Sequence, residues 1–271
     1  MSPSRWTFAG ADQARALAAE GIRADLVLGN NVLAQVPDLN SFVAGITTIL
    51  APGGTVTIEF PHLQRLMAGN QFDTIYHEHF SYFSLLATEK VFAAHGLTIF
   101  DVDELWTHGG SLRIFARHTG GDDQRPVTDA VERVRAGEVA AGLDRMETYR
   151  SFAAQVEATK RGILRFLIDA RDAGKRVVGY GAPGKGNTLL NYCGIRTDLI
   201  EFTVDRNPYK HGRFLPGTHI PVYPPDALDE ARPDYVFILP WNLRDEIAAQ
   251  LGHVREWGGR FVVPIPEVEV W

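Results

Sequence analysis

The chain has 271 residues, 45% hydrophobic and 22% charged, which is ordinary for a globular enzyme of one or two domains. A net charge of −6 and a pI of about 5.8 argue against a nucleic-acid or anionic-membrane surface. We find no secretory signal and no membrane span, and the single cysteine, Cys193, has the features of a small core residue, so we expect a cytoplasmic protein.

The first 118 residues follow the pattern of an α/β unit. A near-continuous apolar run is typical of a parallel strand that is covered on both faces. Glycines and prolines mark the helix ends and the turns between elements. The pattern predicts a helix at 11–20, a buried strand at 24–32, a helix at 40–50, a tight turn at 51–54 and a strand at 55–60.

The same unit continues through a stretch, 76–83, that combines titratable and aromatic side chains. Residues 63–75 before it predict a loop or a short helix. After it we expect a helix at 85–95 and strands at 97–102 and 111–116. The link between these two strands is too short for a crossover helix, so they should pair antiparallel.

Residues 119–126 are polar and glycine-containing, which indicates a linker. Two helical patterns and then a second alternation of strands and helices follow, and this alternation is typical of a small doubly wound domain. The predicted helices are 127–141, 144–173, 188–193 and 242–251, and the predicted strands are 176–180, 202–205, 235–239 and 261–264. We therefore divide the chain into residues 1–118, a linker with helices at 119–174, and a C-terminal domain at 175–271.

Five motifs occur in a specific order: GNNVL at 29–33, YHEH at 76–79, THGGSLR at 107–113, GYGAPGKGNT at 179–188 and DRNPYK at 205–210. Together they resemble the S-adenosylmethionine-dependent sugar C-methyltransferases of antibiotic biosynthesis. These enzymes act on nucleotide-linked 4-keto deoxysugars. The resemblance extends over nearly the whole chain.

The resemblance implies three parts: an N-terminal zinc-binding domain, a central methyltransferase domain and a C-terminal Rossmann-like domain that helps to hold the nucleotide sugar. The first 118 residues correspond to the last part of a class I methyltransferase sheet. We find neither the cysteine cluster nor the glycine-rich first cofactor loop. We therefore expect the C-terminal part of a family member, and binding of S-adenosylmethionine by this chain alone stays open.

Methylation of a carbon beside a ketone needs a base, a donor for the enolate oxygen and exclusion of water. A base that works near neutral pH favours histidine. By the resemblance, His79 is the base, Glu78 orients it, and Tyr76 donates to the enolate oxygen or relays the proton. The alternative is that His77 and His79 are ordinary residues at a helix start. We predict no metal, because side chains two apart on a helix diverge.

The resemblance also implies contacts to the cofactor and to the sugar at strand ends. Asn30, Asn31 and Val32 would contact the methionine part of S-adenosylmethionine, with Glu59 and His62 as second choices. A plain turn with a helix cap would explain the asparagines equally well. The predicted sugar contacts in this part of the chain are His108, Gly109, Gly110 and Ser111, for which the alternative is a simple hairpin turn.

The loop with Gly179, Gly181 and Gly184 follows a strand and opens a helix, a context that favours anion binding. By the resemblance, it serves the diphosphate of a thymidine-diphosphate sugar. The candidate contacts are Lys185, Asn187, Arg206, Tyr209, Lys210 and Arg213, although the basic residues also fit a solvated surface loop. Asp205 stands where a dinucleotide fold places its ribose-binding acid, which keeps an NAD-dependent oxidoreductase as a rival.

The sequence therefore predicts methyl transfer from S-adenosylmethionine to a carbon, C3 in our interpretation, of a nucleotide-linked 4-keto-6-deoxysugar. The nearest alternative is a nucleotide-sugar-binding remnant without catalysis. The oxidoreductase is the third hypothesis.

Overall fold

The computed structural model describes residues 10–120 and 125–271, and these form two compact units. The first unit combines Met1–Leu66 with His77–Tyr149, within the described range, and the second combines Met67–Tyr76 with Arg150–Trp271. This division differs from the boundaries that we predicted at 118 and 174. The segment Met67–Tyr76 is part of the C-terminal unit, although the sequence around it belongs to the first. Residues 121–124 of the predicted linker lie outside the described ranges.

The first unit contains a sheet of four strands in the order β1-β2-β4-β3. β1 and β2 are parallel, and β4 is antiparallel to both of its neighbours, which confirms the predicted antiparallel hairpin. The strands are β1 (Ala24–Asn30), β2 (Leu50–Pro61), β3 (Leu97–Leu105) and β4 (Ser111–His118). The helices are α1 (Ala11–Ala19), α2 (Leu39–Ile49), α3 (Leu63–Ala68), α4 (Leu85–Ala94) and α5 (Asp129–Ala140); α3 ends beyond the unit boundary.

β1 differs from the prediction of a strand covered on both faces. Leu26 and Leu28 are 55% and 67% exposed, and no strand among the described residues pairs with the outer edge of β1. The core of the unit lies instead around β2 and β4, where Ile58, Phe60 and Ile114 are fully buried. An apolar run predicts the composition of a strand, but its burial depends on which elements cover it.

The predicted turn at 51–54 is a bulge within β2. Ala24 lies opposite Leu50, whereas Leu26 lies opposite Thr55, so the register shifts across these residues. Gly53 has a φ of +74°, a conformation that glycine adopts without steric cost. The strand continues through the bulge because its neighbour pairs on both sides of it.

The second unit is built on a sheet of seven strands in the order β11-β10-β9-β5-β6-β8-β7. Its five central strands are parallel, which confirms the predicted doubly wound plan. The strands are β5 (Val177–Tyr180), β6 (Thr203–Val204), β7 (Arg213–Phe214), β8 (Pro221–Tyr223), β9 (Tyr235–Ile238), β10 (Arg260–Val263) and β11 (Glu269–Val270). The helices are α6 (Met146–Asp172), α7 (Gly184–Cys193), α8 (Ala227–Ala231) and α9 (Arg244–Gln250). No helix in the described ranges is long and apolar enough to span a membrane.

The chain order reverses at β5, which lies between β6 and β9. Open α/β sheets bind ligands at such a switch point, outside the carboxyl ends of the strands. Helix α7 starts there, at Gly184 rather than at the predicted residue 188. A Cβ on Gly186 would lie 3.0 Å from the Cβ of Leu239, so close packing explains a glycine inside the helix.

Candidate active site

Polar side chains gather at the carboxyl ends of β1 and β2 in the first unit. Asn31 follows β1 with a φ of +53°, and its N–H donates to the carbonyl of Glu59 at 2.8 Å. Its Nδ2 lies 3.4 Å from Nε2 of His108, in the turn between β3 and β4. Asn31, a predicted cofactor contact, and His108, a predicted sugar contact, are therefore neighbours at the carboxyl ends of the strands, where open α/β sheets generally bind ligands.

Glu59 joins the end of β2 to the same turn. Its carboxylate accepts from Oγ1 of Thr107 at 3.0 Å and from the guanidinium of Arg113 at 2.7 Å. The residue is buried, so this pair is a fixed part of the fold rather than a surface contact. Its role toward a cofactor stays a prediction, and its observed role is to hold the turn.

The turn itself has an unusual backbone. His108, Gly109 and Gly110 have φ values of +57°, +91° and +119°. The hydroxyl of Ser111 donates to the carbonyl of Thr107 at 3.2 Å. A histidine in the left-handed region is uncommon, and such conformations concentrate at functional sites. A plain two-glycine hairpin would not require it.

His62 and Glu138 form a buried pair below this turn. The Nε2 of His62 lies 2.7 Å from Oε1 of Glu138, and the two side chains are 1% and 0% exposed. The same carboxylate accepts the backbone N–H groups of Leu85 and Leu86, at 2.6 and 2.9 Å, and so caps α4. The Nδ1 of His62 has no partner among the described residues. His62 thus contributes to the scaffold, and its assignment to the cofactor stays a prediction.

Glu138 is not among the site residues that the sequence predicts. Its spacing was informative, because Val131, Val134 and Glu138 recur on one face of α5 and all three are buried. A charged residue on the buried face of a helix needs partners, and this one has a histidine and two N–H groups.

The C-terminal half of the motif at 76–83 is hydrogen-bonded to the rest of the first unit. The N–H of Phe80 donates to the carbonyl of Ala34 at 2.7 Å, just beyond the end of β1. The carbonyl of Phe83 accepts from the N–H of Leu63 at 2.9 Å, and Ser84 then caps α4. His79 is half-buried, and its ring lies 5.7 Å from that of Tyr82. Glu78 is exposed, and Tyr76 closes the segment that belongs to the second unit.

In the second unit, Asp205 closes the glycine-rich loop from the end of β6. Its carboxylate accepts from the N–H groups of Ala182 and Asn207 and from Nζ of Lys210, at 2.7, 2.8 and 2.9 Å. Burial raises the pKa of Asp205, but these hydrogen bonds outweigh burial and the net pKa is below its ordinary value. Since both oxygens bond within the loop, Asp205 is not arranged as the ribose ligand of a dinucleotide fold.

Lys185, in the first turn of α7, also has internal partners. Its Nζ donates to Oδ1 of Asn242 at 2.5 Å and lies 4.3 Å from the centre of the Trp241 ring. Burial lowers the pKa of Lys185, and the negative charge of Asp73 acts in the opposite direction. The Oδ1 of Asn187, two residues further along α7, is buried without a partner among the described residues.

The remaining substrate candidates lie on the surface. Tyr209 is 83% exposed, and Arg206 and Arg213 are also exposed, with Arg206 donating to Oε1 of Gln250 at 3.2 Å. Lys210, in contrast, pairs with Asp205. No group of three or more histidine, cysteine or acidic residues within the described part could hold a metal ion.

The two units thus define an α/β protein with polar groups at the carboxyl ends of its parallel strands. Residues 106–266 match the family model of the C-methyltransferase C-terminal domain, and residues 2–102 match that of a methyltransferase domain. The first of these matches includes more than half of the chain, so the chain belongs to the C-methyltransferase family.

The chain is 40% identical over 247 residues to the C-methyltransferase NovU of Streptomyces niveus. This alignment covers 91% of the chain and 58% of NovU, so the chain spans little more than half the length of this relative.

Among solved structures, the chain overlaps with a complex between the Haloferax volcanii Trm112 methyltransferase activator and a methyltransferase (14% identity, 36% of this chain and 55% of that chain, TM-score 0.32). It also overlaps with the N-methyltransferase NodS of Bradyrhizobium japonicum (14% identity, 36% and 53%, TM-score 0.28). Overlaps this small carry no argument about function.

Proposed function

We propose that this chain carries the catalytic base and the sugar-binding part of an S-adenosylmethionine-dependent C-methyltransferase. The substrate would be a nucleotide-linked 4-keto-6-deoxysugar that is methylated at C3, as in the biosynthesis of antibiotic sugars. The activity, the substrate and the cofactor are all parts of this proposal, because the chain spans only 58% of the length of NovU.

One observation carries the proposal. The motif with His79 is hydrogen-bonded, through the N–H of Phe80 and the carbonyl of Ala34, beside the end of β1. Asn31 and His108 meet at that same end. The histidines of the motif, a polar strand end and a left-handed turn lie within one unit, and they are groups of the kind that proton abstraction beside a bound ligand requires.

His79 is the proposed base. A ring nitrogen takes the proton from C3, the C–H electron pair moves into the C3–C4 bond, and the C4 carbonyl oxygen becomes the enolate oxygen. Tyr76 donates its hydroxyl hydrogen bond to that oxygen, and Glu78 orients the imidazole. The half-buried position of His79 against Tyr82 limits access of water to the ring.

The residues at the end of β1 fit the polar end of the methyl donor. Asn31 has an amide side chain and a positive φ, and Asn30 and Val32 flank it. Amide groups bind both the amino and the carboxylate groups of a methionine moiety. When bound, S-adenosylmethionine supplies an electrophilic methyl group.

For the diphosphate we retain the exposed side chains Arg206, Tyr209 and Arg213 as the main contacts. Their exposure leaves their hydrogen-bonding groups available to a ligand. Lys185 and Lys210 have partners within the fold, so a ligand would compete for them.

Isothermal titration calorimetry distinguishes the three hypotheses. The chain is titrated separately with S-adenosylmethionine, a thymidine-diphosphate 4-keto-6-deoxysugar and NAD. Binding of the first two supports the transferase. Binding of the sugar nucleotide alone supports the non-catalytic remnant, and binding of NAD supports the oxidoreductase. The internal bonding of Asp205 leads us to expect no NAD binding.

A further inference from the structure

Part of the chain packs beside the switch point of the second sheet. The short 3₁₀ helix Phe72–Thr74 packs against α7, the helix that follows β5. Asp73 within it reaches Trp241, just after β9. β5 and β9 are the two strands between which the chain order reverses. A segment of the protein thus packs against the elements that flank the switch point, near the place where a doubly wound sheet ordinarily receives a ligand.

Asp73 makes a specific contact there. Its Oδ2 accepts from Nε1 of Trp241 at 2.8 Å, across 168 residues of sequence, and Asp73 is fully buried. Its Oδ1 has no partner among the described residues. Buried carboxylates are rare unless paired, so this residue is held in place at a cost that the fold has to offset.

Lys185 supplies the compensating charge. Its ammonium group lies over the Trp241 ring and attracts Asp73, so one indole is in contact with both charged residues. The three side chains come from three different parts of the unit. Together they form a compact charged cluster, Asp73–Trp241–Lys185, in an otherwise apolar core.

Two further contacts fasten the same segment. The ring of Phe72 lies 5.3 Å from that of Tyr192 on α7. The Nδ2 of Asn70 donates to Oγ1 of Thr159 on α6 at 2.6 Å, and Thr159 in turn donates to the carbonyl of Pro266 at 3.0 Å. Helices α6 and α7 and the loop after β9 all hold these few residues. The segment is therefore an integral part of the second unit.

We infer that the glycine-rich loop region of the second unit serves as an anchor for the chain's own segment, with Asp73 and Trp241 as positioning residues for Tyr76, which belongs to the same unit. Tyr76 follows Asp73 by three residues and ends the anchored segment. The catalytic half of this inference rests on the proposed function, whereas the anchor itself does not.

Hydrogen exchange tests the anchor directly. Amide exchange of residues 71–76 is measured by mass spectrometry in the wild type and in Trp241→Phe, which keeps an aromatic ring and removes the donor. Loss of a hydrogen bond to a charged group should increase local exchange by about tenfold or more. The matched control is Trp257→Phe, which removes an indole donor to the carbonyl of Pro233 in the same unit.

A second pair of variants guards against misfolding of Trp241→Phe. Asp73→Asn keeps an acceptor for the indole and should preserve protection of residues 71–76, whereas Asp73→Ala should lose it. Unchanged exchange in both Trp241→Phe and Asp73→Ala would overturn the anchor. Equal loosening in Trp257→Phe would also overturn it, because the effect would then be general.

Kinetics test the positioning role. In Trp241→Phe, kcat for the sugar-nucleotide reaction should fall by about tenfold while KM for the sugar nucleotide stays within about twofold. A loosened segment with an unchanged kcat would overturn the positioning role. A wild type without any reaction would overturn the proposed function and leave the hydrogen-exchange result valid.

Discussion

His79 is two residues from a second histidine, His77, and the pair gives a controlled comparison. His77 is exposed, whereas His79 is half-buried against Tyr82. If His79 is the base, the environment rather than the residue type distinguishes the two.

We expect His79→Ala to lower the rate of methyl transfer by about 10²- to 10⁴-fold, the usual contribution of a general base. Affinity for S-adenosylmethionine, measured by calorimetry, should stay nearly unchanged. His77→Ala is the control and should retain most of the rate. Full activity of His79→Ala would remove this residue from the mechanism.

Asp73 is the buried acid with the clearest consequence for stability. Burial raises its pKa to about 6 from 3.8, against the opposing effects of the Trp241 hydrogen bond and the Lys185 charge. The folded state thus binds the proton more tightly than the unfolded state. The stability from this proton is complete below about pH 4 and is lost as the pH rises through about 6.

We therefore expect Asp73 to lower the free energy of unfolding by about 3 kcal/mol between about pH 4 and pH 7. Urea denaturation across this range measures the change. Asp73→Asn cannot titrate, so the difference between the two curves isolates the effect. If the difference in free energy of unfolding between the wild type and Asp73→Asn stayed constant with pH, the Asp73 carboxyl would have the same pKa in the folded and unfolded states.

Among the elements, α4 depends on a residue from another helix. Its N-terminus receives two acceptor contacts from Glu138 of α5, and the same carboxylate pairs with His62 at the end of β2. One side chain therefore connects two helices and a strand. The motif with His79 lies directly before α4, so this connection also fixes the far end of the motif.

Glu138→Ala should lower the free energy of unfolding by about 3–5 kcal/mol, because it leaves a buried histidine and two N–H groups unpaired. Glu132→Ala, on the same helix, removes an exposed ion pair with Arg135 and should change it by less than about 1 kcal/mol. Chemical denaturation of both variants provides the comparison. Similar small losses in both would show that Glu138 is not a structural connection.

The sequence predicted most elements because their determinants are local. Apolar runs identified β2, β4 and β9, and Gly21 and Gly174 marked the ends of α1 and α6. Short strands such as β7 (Arg213–Phe214) were missed, since two residues carry no period. The glycines of α7 indicated a loop. Gly186 instead lies inside the helix and packs closely on Leu239, a contact that the sequence alone does not reveal.

The candidate site was predictable only in part, because several of its contacts join residues that are far apart in the sequence. The asparagine–histidine contact of Asn31 and His108 follows from the rule that ligand-binding groups gather at strand ends. Glu138 and Asp73 were missed because their partners are 53 and 168 residues away in sequence. No pattern around Asp73 indicated that its segment belongs to the second unit.

For the whole molecule, the chain connects two α/β units, and the motif at 76–83 begins in one and continues in the other. The first unit contains the polar strand ends, and the second contains the anchor and the exposed basic residues. The central claim is that His79 abstracts a proton from C3 of a 4-keto sugar. The residues that we propose for this step, His79, Glu78 and Tyr76, all belong to this chain.

The most direct test is exchange of the C3 proton of a thymidine-diphosphate 4-keto-6-deoxysugar in D₂O, followed by NMR without S-adenosylmethionine. The account predicts that the wild type accelerates loss of the C3 proton signal over the uncatalysed reaction, and that His79→Ala does not. Exchange at the same rate with wild type, His79→Ala and buffer would contradict it.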